Sequence, residues 1–138
     1  MKRISPKRVL KHRRGATVVE FAFVAPIFFL LLVASFEFAR LNVIRHTADN
    51  AAYEAARIAM VPGATAAEAV NEANRIMSIA GARGSNVTVN PANIGPNTQQ
   101  ITVTVDIPLG QNGWITPRFT GSTNMRSQST LKAERVQQ

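Results

Sequence analysis

The sequence predicts an α+β protein: a long N-terminal helix that crosses a membrane and continues outward as an amphipathic stem, a second helix, and a small antiparallel sheet of about three strands. Three observations carry this expectation. Residues 15–36 hold a single charged side chain, Glu20, in a run of Ala, Val, Phe, Leu and Ile with Gly15, Thr17, Pro26 and Ser35. From residue 41 to residue 80, small and apolar residues return every three or four positions. After Gly84 the period falls to two. The length of 138 residues suits one domain with its own core and is too short for two.

The apolar run justifies the first helix. Its 22 residues rise roughly 33 Å as an α-helix, close to the ~30 Å of bilayer hydrocarbon. A buried core helix would carry polar residues every few positions, and residues 21–33 carry none. Orientation follows from the cations. Lys2, Arg3, Lys7, Arg8, Lys11, Arg13 and Arg14 precede the run, whereas only Arg40 and Arg45 closely follow it, which places the N-terminus in the cytoplasm. A cleavable secretory signal is the rival reading, with Val33-Ala34-Ser35 as its small-residue cut site, but the apolar run is longer than such signals use and begins with a carboxylate.

Of the net charge of +8, all but one unit belongs to the basic leader. The first fifteen residues contain no acid, and from Ala16 onward nine basic residues face eight acidic ones. The basicity therefore does not mark a nucleic-acid-binding face, and no nucleic-acid partner is expected.

Glu20 is costly within an apolar helix unless it is paired or reaches the interface. Its setting is specific: a basic run, Gly15, then Ala16, Thr17, Val18 and Val19, then Glu20 and the hydrophobic stretch. This order resembles the class III signal of the type IV pilin superfamily, in which a membrane peptidase cuts after the Gly and the Glu becomes the fifth residue of the mature chain. The wider string Arg13-Arg14-Gly15-Ala16-Thr17-Val18-Val19-Glu20-Phe21-Ala22, with Pro26, Phe36-Glu37-Phe38-Ala39-Arg40 and the Ala-rich Asp49-Asn50-Ala51-Ala52-Tyr53-Glu54-Ala55-Ala56-Arg57, resembles the TadE-like pseudopilins of the tight adherence (Flp, type IVc) pilus machinery.

The resemblance implies a division of the chain into a leader peptide at 1–15, a transmembrane helix at 16–40 and a periplasmic α+β domain of pilin-like plan at 41–138. It implies a processing site at Gly15 and Ala16, with Lys11, Arg13 and Arg14 holding that site at the cytoplasmic surface, and an assembly role for Glu20 opposite the new α-amino group of a neighbour's Ala16. The implied partners are a prepilin peptidase, sibling pseudopilins and the major pilin, the inner-membrane assembly platform and the lipid bilayer. The implied place is the bacterial inner membrane, or the pilus itself. An unprocessed single-pass protein with a small external binding module remains the alternative.

The stem follows at residues 41–60, where Leu41, Ile44, Ala48, Ala51, Ala52, Ala55, Ile58 and Ala59 form one stripe and Glu54 and Arg57 are spaced as an ion pair. Val61-Pro62-Gly63 ends it. Thr65 and Glu68 then form a capping-box pattern that starts the second helix, whose face is Ala69, Val70, Ala73, Ile76, Met77 and Ala80 before Gly81 and Gly84. Val87 and Val89 mark one strand, and Ile101, Val103, Val105 and Ile107 mark another. Residues 90–97 read as a loop. A weaker strand covers about 125–133, where Met125, Leu131 and Ala133 share parity with the polar Ser127 and Ser129.

Trp114 and Phe119 fall in a Gly- and Pro-containing loop at residues 110–121, read as a segment tucked over the sheet edge, with an adhesive or subunit contact as the alternative. Asn86-Val87-Thr88 fits a glycosylation tripeptide, a pattern frequent by chance, and is given no role. With no Cys, thiol catalysis, disulfides and thiolate metal sites are excluded, and His12 and His46 are too far apart for a local metal motif. No nucleophile elbow, phosphate-binding glycine loop or paired acids are present, so neither catalysis nor a cofactor is expected.

Overall fold

A computed structural model of the chain describes residues 13–113 and 122–132. Six elements follow in order: α1 (Arg13–Ala59), α2 (Ala66–Ile79), β1 (Asn86–Asn90), β2 (Gln100–Pro108), α3 (Leu109–Asn112) and β3 (Asn124–Lys132). The fold class is α+β as expected, with a long apolar N-terminal helix, a second helix and three antiparallel strands. Backbone contacts divide the chain into two compact units, residues Met1–Phe36 and Glu37–Gln138.

The second unit holds the core. The stem part of α1 contributes Ile44, Ala48, Ala51, Ala52, Ala55, Ala56 and Ala59, none more than 1% exposed. Three positions differ from the expected stripe: Leu41 and Ile58 are only half-buried and Ala56 is fully buried. Ile58 and Ala56 lie on opposite flanks of the stripe at 100° per residue, and the buried flank is the one carrying the smaller side chain.

α2 starts where the capping box places it. The Glu68 N–H donates to Thr65 Oγ1 (3.3 Å) and the Thr65 N–H donates to Glu68 Oε2 (2.9 Å). This reciprocal pair satisfies two orphan donors of the first turn and stabilises the helix by about 1 kcal/mol. Ala69, Ala73, Ile76 and Met77 are its buried face. Its end is a Schellman motif: the Gly81 N–H donates to Ser78 O (3.0 Å) and the Ala82 N–H to Met77 O (3.3 Å), with Gly81 at φ +63°. On the exposed side Arg75 grips Glu72 with two bonds of 2.8 and 2.6 Å, and that bonding lowers the Glu72 carboxyl below its ordinary value. The expected Glu54–Arg57 pair forms as well, at 3.3 Å.

The strands form a meander in the order β1-β2-β3. β2 is central, and its Ile101, Val103, Val105 and Ile107 have no exposed surface, while Thr102, Thr104 and Asp106 face the other way. Val105 is opposite Val87 on one side and Ser127 on the other. Asp106 is opposite Arg126, which clasps it through bonds of 2.7 and 3.1 Å on the polar face.

β3 keeps the parity expected of it, and Ser127 points inward at 5% exposure. Its hydroxyl is satisfied by a hydrogen bond to Asp49 Oδ1 of α1, so one polar side chain ties helix to sheet. Trp114, Phe119 and Ala133 lie outside the described residues.

Candidate functional site

Within the first unit, residues 15–36 of α1 present apolar side chains on every side. Phe21, Phe23 and Leu30 are 70%, 72% and 67% exposed. The most apolar 18-residue window has a mean hydropathy of 2.4, and none of it is buried. A helix that is apolar around its whole circumference belongs in a protein core or in lipid, and no described part of this chain covers it. Among the described residues this is the single helix long and apolar enough to cross a membrane, and it is a candidate single-pass anchor.

Pro26 lies inside this stretch. It removes one backbone donor, which leaves the Ala22 carbonyl without its helical partner. Ser35 Oγ donates back to Leu31 O at 2.8 Å, the local bonding by which a hydroxyl is satisfied inside an apolar helix.

The residues that sequence reasoning assigned to processing and assembly occupy the first two turns. Arg13 and Arg14 open α1, Gly15 and Ala16 follow, and Glu20 is exposed one turn beyond Ala16. A four-residue separation puts Ala16 and Glu20 on one helix face. Lys11 lies outside the described residues.

Gly15 is helical, whereas a peptidase substrate is expected to be extended. It sits in the first turn, whose N–H groups have no intrahelical acceptor, and glycine is the weakest ordinary helix former, so this turn opens at low cost. A Cβ built at Gly15 meets nothing within 4 Å.

The second unit contains a polar knot that the sequence did not reveal. Asn112, the last residue of α3, is 1% exposed. Its Nδ2 donates to Arg83 O (2.8 Å) and Pro108 O (2.9 Å), and its Oδ1 accepts the Arg83 N–H (2.8 Å). Its own carbonyl accepts Arg40 Nε at 3.0 Å. One residue thus joins α1, the α2–β1 turn and the end of β2. Glu37, one turn before Arg40, is also buried at 3% exposure. The only local sign of the knot is the Asn112-Gly113 pair, which reads as a turn.

Among the described residues no group of three or more His, Asp or Glu side chains comes together as a metal site would require. Grooves open on the surface of the described residues. One is lined by Val43, His46, Thr47, Asn50, Ile76 and Ile79, another by the Val61-Pro62-Gly63-Ala64 turn with Ile94, Gly95 and Pro96. Neither brings together an acid, a base and a nucleophile.

Comparison with known proteins locates the family signal on the same helix. Residues 15–57 match the family described as TadE-like protein. That segment covers the apolar stretch, Glu20 and nearly all of the stem. No curated protein and no solved structure matches the chain.

Proposed function

We propose that this chain, a TadE-like protein over residues 15–57 and thereby associated with the Tad pilus, is a minor pilin-like subunit of that machinery. In this reading it enters the inner membrane with its basic end inside, is cut after Gly15 by a prepilin peptidase, and takes part in pilus assembly through its apolar helix. The observation that carries the reading is an uncovered apolar helix bearing one exposed carboxylate five residues after a glycine, within the segment that the family signal covers.

The chemistry of each residue type supports the scheme. Cleavage turns Ala16 into a cationic α-amine, and Glu20 is the single anion in the apolar run of residues 15–36. Two charges that are each costly in lipid offset one another as a pair, so a subunit is held at the register where its carboxylate meets a neighbour's amine. Glu20 acts as a register device rather than as a catalytic base. Sibling pseudopilins, the major pilin and the assembly platform are the partners of such a subunit.

Gly15→Leu is the direct test of processing. Nothing lies within 4 Å of an added Cβ, so α1 is expected to form normally while the bulky residue fails in the peptidase. Intact mass measured on membranes with and without the peptidase should show wild-type protein starting at Ala16 and the variant retaining its leader. Normal maturation of Gly15→Leu removes the proposed cut site. Glu20→Ala tests assembly: membrane insertion is expected to persist and piliation to fall severely, and unchanged piliation counts against the register role.

The unprocessed single-pass protein is the second reading. The observation that favours it is the helical conformation of Gly15 and Ala16, which does not present an extended substrate. An uncut Met1 in membranes containing active peptidase selects this alternative.

A further inference from the structure

We propose that Asn112-Gly113 is a latent deamidation site, kept shut by the polar knot around Asn112 and altered for good once that knot opens. Asn112 is the one asparagine of the sequence followed by glycine, and the other nine precede residues that carry a side chain. The reaction depends on that neighbour. The Gly113 backbone nitrogen gives up its proton and attacks the Asn112 side-chain carbonyl carbon. A C–N bond closes a succinimide ring, and the Asn112 amide nitrogen leaves with that proton as ammonia. Water then cleaves one of the two ring bonds to the Gly113 nitrogen, leaving aspartate or, where the chain now runs through the side chain, isoaspartate. Glycine favours the attack because no Cβ shields its nitrogen and its backbone turns freely.

In the folded second unit each group of this reaction is engaged elsewhere. The Gly113 N–H donates to Leu109 O at 3.2 Å. The nitrogen that must leave donates to Arg83 O and Pro108 O, and Oδ1 of the carbonyl under attack accepts the Arg83 N–H. Asn112 is 1% exposed, so water reaches it poorly. It is also the last residue of α3, and ring closure has to turn its ψ away from the helical value of about −40°. The reaction therefore waits on local opening of the knot.

The change runs one way. The product carboxylate has no hydrogen to give the Arg83 and Pro108 carbonyls, and isoaspartate also lengthens the backbone between α3 and Gly113. A knot that has opened and reacted closes less well, so the chain carries a permanent mark of having opened.

The experiment incubates the full chain in micelles in mildly alkaline buffer, with and without guanidinium chloride, and follows each asparagine by peptide mass spectrometry. Deamidation at residue 112 is expected to be about a hundredfold slower in the folded chain, the factor set by the rarity of the open state. Asn97, exposed in the loop before β2, is the internal control and should differ little between the two conditions. Gly113→Ala should slow the reaction severely in denaturant. Its φ of −101° and ψ of 167° suit alanine, so the knot is retained.

Equal rates at residue 112 with and without denaturant, or a slowing at Asn97 as large as that at Asn112, overturn the knot as the lock. A rate at residue 112 in denaturant no greater than at the other asparagines, or unchanged by Gly113→Ala, overturns the site. After removal of denaturant, the deamidated chains are expected to exchange the β2 amides several-fold faster than unmodified ones. Equal exchange overturns the one-way change.

Discussion

Asn112→Ala is expected to destabilise the second unit by about 2–4 kcal/mol, because a buried polar group stripped of its partner costs about 1–3 kcal/mol and this change strips several. The Arg83 N–H, the Arg83 carbonyl and the Pro108 carbonyl all lose their side-chain partner at once. The site is part-buried, so water recovers some of that loss and the total stays below a simple sum. Against a typical stability of about 5–15 kcal/mol, the loss is a large share.

Asn112→Asp separates the donors from the acceptor. The carboxylate can still accept from the Arg83 N–H, but it faces the Arg83 and Pro108 carbonyls with no hydrogen to give. Its destabilisation at neutral pH should approach that of the Ala variant and shrink in acid, where a protonated Asp can donate again. Urea unfolding of the full chain in micelles, followed by hydrogen exchange of β2, measures both variants. A loss below about 0.5 kcal/mol for Asn112→Ala would show that the knot contributes no more than an ordinary surface substitution.

What the sequence disclosed and what it concealed divide by distance along the chain. The apolar run, the capping box of Thr65 and Glu68, the Glu54–Arg57 pair and the alternation of β2 all depend on residues within a few positions of each other, and periodicity registers them. The knot depends on partners 29 and 72 residues apart, and the Ser127–Asp49 bond on partners 78 apart. Nothing in the neighbourhood of Ser127 announces that an acid one helix away will satisfy it. For the same reason the parity of β3 reads weakly from its own residues and becomes clear only through its pairing with β2.

The residues proposed for processing and assembly differ again. Gly15, Ala16 and Glu20 are conspicuous because an anion in an apolar helix is costly, and their order carries the resemblance to prepilin signals. The fold positions them without explaining them. A helix start at Arg13 leaves open space for a Cβ at Gly15, so nothing in the described residues requires the glycine.

The alanine seam of α1 yields the second large effect, and it tests why this helix carries so few large core residues. Ala48, Ala51, Ala52 and Ala55 have no exposed surface, and they share one buried cluster with Ile101, Val103, Val105 and Ile107 of β2. Ala52→Leu adds three carbons at a filled position. Leu is nearly as good a helix former as Ala, so any loss reports packing rather than propensity. Overpacking of this kind costs about 1–3 kcal/mol, through off-rotamer side chains and backbone shifts. Ala67→Leu on the exposed side of α2 is the control, expected to change stability by less than about 0.5 kcal/mol. Urea titration of both variants in micelles decides the matter. If Ala52→Leu is as stable as its control, the seam has room to spare and the run of small residues is not needed to hold the stem in the core. If it falls by the expected amount, the sequence preference for Ala over residues 48–59 is a packing requirement, and the family signal over this stretch then reports the fold of the stem as well as whatever partner it meets.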